Sequence, residues 1–169
     1  MNMFTLKLIR HSEVSETELN EIIIIKSVAW PYPREKQLEW LKANLRDSDL
    51  HLLLLNNEKP FAYLNLINIE LGIDHKVYGA YGIGNVCSIE KGKGYGDELM
   101  KQVNKYIISE NKLGLLFCKQ SLVDFYKKQN WKLIDKNQIT LSLDNSHIKT
   151  MIFNYNLPFI KLIFTGRPF

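Results

Sequence analysis

The sequence predicts a mixed α/β (α+β) fold on a mostly antiparallel central sheet with helices on both faces. Three observations carry this. Segments with apolar residues at every second position alternate along the chain with segments whose apolar residues recur at three and four. Three apolar segments between His51 and Ile89 follow one another with only short polar breaks. That forces antiparallel neighbours, because a parallel pair needs a crossover of a dozen residues or more. The length, 169 residues, suits one domain over 1–169 that needs neither disulfide nor metal to fold.

The elements follow in order. Phe4, Leu6 and Leu8 alternate with Thr5 and Lys7, which is strand period. Ser15 stands three residues before Glu18, a capping box that opens a helix with Leu19, Ile22, Ile23 and Ala29 on its apolar face. Pro31 and Pro33 end that helix, and a second starts near Pro33 with Leu38, Leu41 and Leu45 as its buried stripe. Strands are expected over 51–55, 60–69 and 77–89, separated by turns at 56–58 and 72–76. A helix follows with Leu99, Met100, Val103, Tyr106 and Ile107 on one face. A strand over 113–118, a helix over 121–129 opened by Ser121 and Asp124, and strands over 131–135, 139–143 and 151–155 complete the series.

Composition narrows the function classes. Hydrophobic residues are 46% and charged residues 24%, close to the globular average, which excludes disorder, collagen and coiled coil. The net charge of +4 is too small to argue for nucleic acid, whose binding would need basic residues grouped with exposed aromatics. Cys87 and Cys118 make no disulfide framework and fit free thiols in a reducing compartment. The first ten residues lack the continuous apolar core of a signal peptide. The longest apolar runs, 22–25 and 52–55, fall far short of the ~20 residues of a membrane span. The expectation is a cytoplasmic protein with no membrane or nucleic-acid partner. His11, His51, His75 and His147 are scattered without metal spacing, so no metal is expected.

The segment Val86 to Gly96 carries the chemistry. Glycines at 92, 94 and 96, between a strand and a helix, let backbone approach a ligand, and the helix start presents unpaired N–H groups and a positive dipole end. Together with Lys91 and Lys93 they form an anion site of the kind that binds phosphate. An ordinary tight strand-to-helix turn is the plain alternative. A Walker A loop is rejected, since Gly94 follows Lys93 where Ser or Thr is required. A dinucleotide fingerprint is disfavoured by the Gly-x-Gly-x-Gly spacing and by its place in mid-chain.

This segment resembles the acyl-CoA-binding motif of the GNAT acetyltransferase superfamily, Gln/Arg-x-x-Gly-x-Gly/Ala after a strand. Lys91, Gly94 and Gly96 fall on it, with Lys91 in place of Gln or Arg and Ser88 where a Pro is usual. Phe125-Tyr126-Lys127-Lys128-Gln129-Asn130-Trp131 resembles the superfamily's Phe-Tyr-x-x-x-Gly-Phe/Trp. Asn130 replaces Gly, and Asn tolerates the left-handed conformation. Lys119 stands where an Asn is often found. The Leu116-Phe117-Cys118 stretch and the ending Gly166-Arg167-Pro168-Phe169 are similar to a branch holding aminoglycoside 2′-N-acetyltransferases and nodulation-type N-acyltransferases.

The resemblance implies splayed fourth and fifth strands, with a pantetheine arm pairing to backbone near Val86 and Ser88. It puts the pyrophosphate of acetyl-CoA, or another acyl-CoA, on Lys91, Gly92, Lys93, Gly94, Tyr95 and Gly96. Charge placement agrees: ten lysines face five acids between Lys91 and Lys136, although a solvated lysine face explains most of them as simply. The implied activity is transfer of an acetyl group to a primary amine of a small molecule, such as an amino sugar, by direct attack. Tyr126 is the implied general acid for the departing thiolate, with core packing beside Phe125 as its alternative. Candidates for the base are Glu70, Asp74, His75 and the Phe169 carboxylate. Trp30, Tyr32 and Trp40 stand at the implied wall of the acceptor site, or form a packed aromatic corner. Cys87 reads as a small buried hydrophobe rather than an acyl carrier. The resemblance allows a homodimer. The runner-up function is a GNAT-fold module that binds acyl-CoA, or has lost it, and acts by interaction without catalysis.

Overall fold

A computed structural model of the chain describes residues 3–142 and 147–169. Met1, Asn2 and Leu143, the last residue of the expected 139–143 strand, lie outside the described residues. The elements are β1 (Phe4–Arg10), α1 (Glu16–Ala29), α2 (Arg34–Asn44), β2 (Leu50–Asn56), β3 (Lys59–Ile73), β4 (Lys76–Ser88) and α3 (Tyr95–Ser109). They continue with β5 (Leu113–Cys118), α4 (Val123–Lys128), β6 (Lys132–Leu133), β7 (Ile139–Leu141), β8 (Lys149–Phe153) and β9 (Leu162–Phe164). Among the described residues the nine strands form a mixed, mostly antiparallel sheet with parallel pairs only at β4–β5 and β7–β9. The chain clusters into two compact units, one of 3–67, 84–103 and 169, the other of 68–83 and 104–168. No helix among the described residues is long and apolar enough to cross a membrane.

In the first unit β1 runs antiparallel to β2, and β2 to β3. Asn57 and Glu58, with φ of 49° and 65°, close the β2–β3 hairpin with two left-handed residues, the turn whose twist matches the strands. Leu52, Leu53, Leu54, Leu64 and Leu66 are all fully buried, so both sheet faces are covered here. The capping box of α1 forms as expected: Glu18 N–H donates to Ser15 Oγ at 3.2 Å, and Ser15 N–H to Glu18 at 2.8 Å. Lys7 then pairs with Glu18 at 2.8 Å. The buried face of α1 is rotated from the expected one. Ile22, Ile23, Ile25 and Lys26 are buried, whereas Leu19 is half-buried and Ala29 exposed. In α2, Pro33 takes the cap position and Leu41 is buried, with Gln37 beside it in place of Leu38.

In the second unit β5 pairs antiparallel with β8, and β8 with β6. The strand expected over 151–155 lies at Lys149–Phe153, and β9, which the sequence reading left undefined, pairs with the end of β3 and with β7. The Asp74 carboxylate accepts from the N–H groups of Ile160 and Lys161 at 3.0 and 2.8 Å, which pins the chain leading into β9. The box expected at Ser121 and Asp124 does not form. Ser121 lies inside a 3₁₀ turn over Gln120–Leu122, and Leu122 caps α4 without a side-chain bond. α4 ends as its sequence predicts: Asn130 is left-handed at φ 65°, and Trp131 N–H reaches back to the Tyr126 carbonyl at 3.1 Å, a Schellman closure. Trp131 is buried against Phe153 and donates its Nε1–H to Asn104 at 3.0 Å. Gly114 leaves it room, since a Cβ there would stand 2.5 Å from the indole.

A polar chain crosses the first unit. His11 Nδ1 lies 2.9 Å from His51 Nε2, and His51 Nδ1 lies 2.8 Å from the Tyr63 hydroxyl, with His51 and Tyr63 fully buried. Burial, then the neighbouring His11 and Lys26, lower the His51 pKa to about 4. In the unfolded chain His51 titrates near its ordinary ~6.5, so between these values the unfolded state binds more protons and stability falls as pH falls. The expected loss is about 3 kcal/mol from pH 7 to pH 4, levelling off below. Urea unfolding across this window for wild type and His51→Gln checks it: the variant's curve should lack this component.

Candidate functional site

β4 and β5 are paired from Ala80 to Ile83, opposite Leu113 to Leu116, and the register stops there. The next two residues of β4 are unusual. Asn85 has φ 56° within the strand, a left-handed conformation that Asn tolerates better than most residues. Its amide donates to Asn65 Oδ1 at 2.5 Å, while Asn65 Nδ2 is buried without a hydrogen-bond partner among the described residues. Gly84 permits a close approach: a Cβ there would stand 2.7 Å from the Phe169 carboxyl carbon and 3.2 Å from Asn65 Nδ2. Further on, Ile89 N–H bonds to the Phe61 carbonyl at 2.8 Å. Alternation along the strand therefore turns the N–H groups of Val86 and Ser88 to the opposite edge. Ser88 Oγ donates to the Glu90 carbonyl at 3.0 Å, which tightens the exit from the strand.

The glycine-rich turn follows. Gly92 and Gly94 have φ of 74° and 77°, and a Cβ at either position would meet nothing within 4 Å. They alternate with Lys93, which is not left-handed, an arrangement that turns successive N–H groups toward one concavity. Lys91 and Lys93 are exposed. Tyr95 holds the turn down by packing on Phe61 at 4.8 Å and Phe4 at 6.1 Å. The first bond of α3 runs from Glu98 N–H to the Gly94 carbonyl at 3.0 Å, so the N–H groups of Tyr95 and Gly96 have no intrahelical acceptor. Backbone donors, a helix dipole and two flanking ammonium groups thus share one open turn suited to a phosphate-bearing ligand.

Trp30, Tyr32 and Trp40 line a cavity of about 480 Å³ in the first unit, with Gln37, Asn85 and Phe169. Gln37 is spent structurally, donating to the Trp30 carbonyl at 2.6 Å. Lys26 and Lys36 also line it. Lys36 is exposed and paired with Glu39 at 2.9 Å. Lys26 is 2% exposed, and its ammonium sits 4.2 Å from the centre of the Trp40 ring. Burial lowers its pKa to about 8. Cys87 is buried, and burial pushes its thiol up to about 12, so it is a poor nucleophile at neutral pH.

Tyr126 belongs to the second unit. Its ring packs on Phe125 at 4.9 Å and Trp131 at 6.5 Å, and it is 5% exposed. Burial, and then Cys118, push its phenol above the ordinary value, so it is protonated at neutral pH. Of the proposed bases, Asp74 is committed to two backbone N–H groups, which hold its carboxyl below the ordinary value. Glu70 is exposed, His75 is a left-handed turn residue, and Phe169 alone of the four lines the aromatic cavity. Several of the clustered lysines have local partners: Lys112 lies on the Tyr81 ring, Lys132 donates to Asn156 and Lys101 stands 4.0 Å from Glu98. Among the described residues no His, Cys, Asp or Glu group could hold a metal. Sequence reading missed Lys26, Asn65 and Asn85. The Gly84-Asn85 pair inside an apolar run was the available signal for the left-handed residue in β4.

No family model matches the chain, and no curated protein matches it in sequence. Solved structures do match in fold. An acyl-CoA N-acyltransferase from Pseudomonas aeruginosa superposes with a TM-score of 0.64 at 17% identity, over 89% of this chain and 99% of that one. ElaA from Escherichia coli gives 0.61 at 17% identity, over 90% and 100%. The N-acetyltransferase PseH from Campylobacter jejuni gives 0.57 at 17% identity, over 88% and 96%.

The crowding at Gly84 gives a direct check. Gly84→Ala should lower the urea midpoint by ~1–3 kcal/mol equivalent, the range for overpacking. Gly79→Ala in the same strand, whose Cβ would meet only Lys112 Cε at 4.0 Å, should change it little.

Proposed function

We infer, from a chain that has the fold of the GNAT acetyltransferases, an acyl-CoA-dependent N-acyltransferase that moves an acetyl group from acetyl-CoA to a primary amine of a small molecule. The observation that supports this most is the turn over Gly92 and Gly94. Its left-handed glycines, the open space at their Cβ positions, and the Tyr95 and Gly96 N–H groups without intrahelical acceptors suit a pyrophosphate.

Acetyl-CoA supplies a thioester whose acyl carbon an amine attacks directly. Tyr95 and Gly96 offer backbone N–H groups to the pyrophosphate, and Lys91 and Lys93 add charge from either side of Gly92. Val86 and Ser88 present strand-edge N–H groups to the pantetheine amides. Phe169, through its carboxylate, is the proton acceptor for the attacking amine, since it lines the aromatic cavity. Tyr126 donates a hydrogen bond to the departing sulfur. Its raised pKa keeps the proton on the phenol until charge develops on the sulfur, so it stabilises the thiolate more than it acidifies the site.

One observation favours a second reading, an acyl-CoA-binding module without catalysis: the burial of Tyr126 among Phe125 and Trp131 is that of a core aromatic. Tyr126→Phe separates the two, because Phe keeps the ring packing. Thiol-release kinetics should show kcat down by ~10²-fold or more with little change in KM for acetyl-CoA. An unchanged kcat would remove Tyr126 from the mechanism, and binding of acetyl-CoA without thiol release by wild type would favour the module.

A further inference from the structure

The cavity of about 480 Å³ in the first unit has two unlike walls. One is the end of β4. Asn85 lines it next to Val86, whose N–H serves the pantetheine in the proposed mechanism, and Phe169 lies against the neighbouring Gly84. The other wall is the α1–α2 junction, where Trp30 and Tyr32 precede α2 and Trp40 stands within it. Trp30 and Trp40 are half-buried and Tyr32 is 64% exposed, so these rings keep open surface for a ligand. Gln37, between them, is spent on the Trp30 carbonyl. Among the described residues no Asp or Glu side chain lines the cavity, and its two lysines are engaged, Lys36 with Glu39 and Lys26 on the Trp40 ring.

We propose that the acceptor is a monoamine that carries an aromatic ring on a short alkyl arm, with the ring packed among Trp30, Tyr32 and Trp40 and the amine turned toward Asn85 and Phe169. A cavity of this size buries most of a small ligand and takes its selectivity from the walls. Offset and edge-to-face contacts favour an aromatic ring over a saturated ring of the same outline by about 2- to 12-fold. The proton acceptor at Phe169 answers one amine. Each further ammonium of a polyamine or an amino sugar would be desolvated with no side-chain carboxylate in the lining to receive it. Aromatic faces can hold a cation, but the Lys26 ammonium already takes one face of Trp40 at 4.2 Å. Selectivity therefore comes from ring contact at one wall and a single amine at the other.

This inference rests on the acyltransferase reading of the site, yet its test does not need turnover. Trp30 and Trp40 report on the cavity, while Trp131 belongs to the second unit and adds a constant background. Tryptophan fluorescence is titrated with 2-phenylethylamine, 2-cyclohexylethylamine, spermidine and kanamycin, none of which absorbs at the exciting wavelength. Wild type should bind 2-phenylethylamine at least ~3-fold more tightly than its saturated analogue and at least ~10-fold more tightly than either polycation. Trp30→Leu and Tyr32→Leu keep an apolar wall and remove a ring, so each should bring the preference over the cyclohexyl compound toward parity. Tyr32 is largely exposed, so its replacement leaves the fold intact and keeps the test sound should Trp30→Leu unfold. A saturated analogue or a polycation bound as tightly by wild type, no binding of any amine, or a ring preference that survives in Tyr32→Leu and Trp30→Leu would each overturn the proposal. Acetyl-CoA is titrated separately: its failure to bind would sink the acyltransferase reading alone, and the amine ratios would still decide this one.

Discussion

Left-handed backbone at Asn85, Gly92 and Gly94 is the constraint on which the rest of the site depends. L-residues other than Gly, Asn and Asp resist this conformation by ~1–2 kcal/mol, so the sequence must supply the right type at each position. It supplies Gly twice in the turn, where the Cβ positions are empty, and Asn once in the strand, where the side chain is held by Asn65. The left-handed Asn85 follows the last β4–β5 pair, and the strand edge beyond it carries the N–H groups of Val86 and Ser88. The turn then delivers the chain into α3, where the N–H groups of Tyr95 and Gly96 have no intrahelical acceptor.

Much of this was legible before any coordinates. The capping box of Ser15 and Glu18, the glycine turn and the left-handed Asn130 follow from residue type and spacing, because each is a local rule with a local partner. The misses are non-local. Four consecutive isoleucines at 22–25 cover more than a full turn, so periodicity could not choose the buried face of α1, and Lys26 lay outside the expected apolar face. Ser121 matched a box pattern, but a 3₁₀ turn displaced the helix start. β9 is three residues long and exists through pairing with β3 and β7 and through the anchor that Asp74 gives the preceding chain, none of which a sequence window contains.

The two kinds of site feature differ in what they cost the fold. The glycine turn is solvated, so its open donors are satisfied by water until a ligand replaces it. The first unit is different: Lys26 is buried in the wall of the aromatic cavity, Asn65 Nδ2 is buried without a hydrogen-bond partner among the described residues, and Gly84 is closely packed. Polar groups buried in this way destabilise a fold unless something answers them, and functional sites are where proteins carry such costs. The lysine excess between 91 and 136, by contrast, is partly explained by local partners at Lys101, Lys112 and Lys132. The ligand reading therefore rests on backbone geometry more than on net charge.

The central claim is that the turn over Gly92 and Gly94 holds a pyrophosphate. Titration calorimetry of the wild-type chain with acetyl-CoA and with S-acetylpantetheine, which lacks the nucleotide and its phosphates, tests it most directly. The account predicts measurable binding of acetyl-CoA and at least ~10-fold weaker binding of S-acetylpantetheine, since several charge-assisted backbone contacts are lost. Equal affinity for the two, or no binding of acetyl-CoA at all, would contradict it.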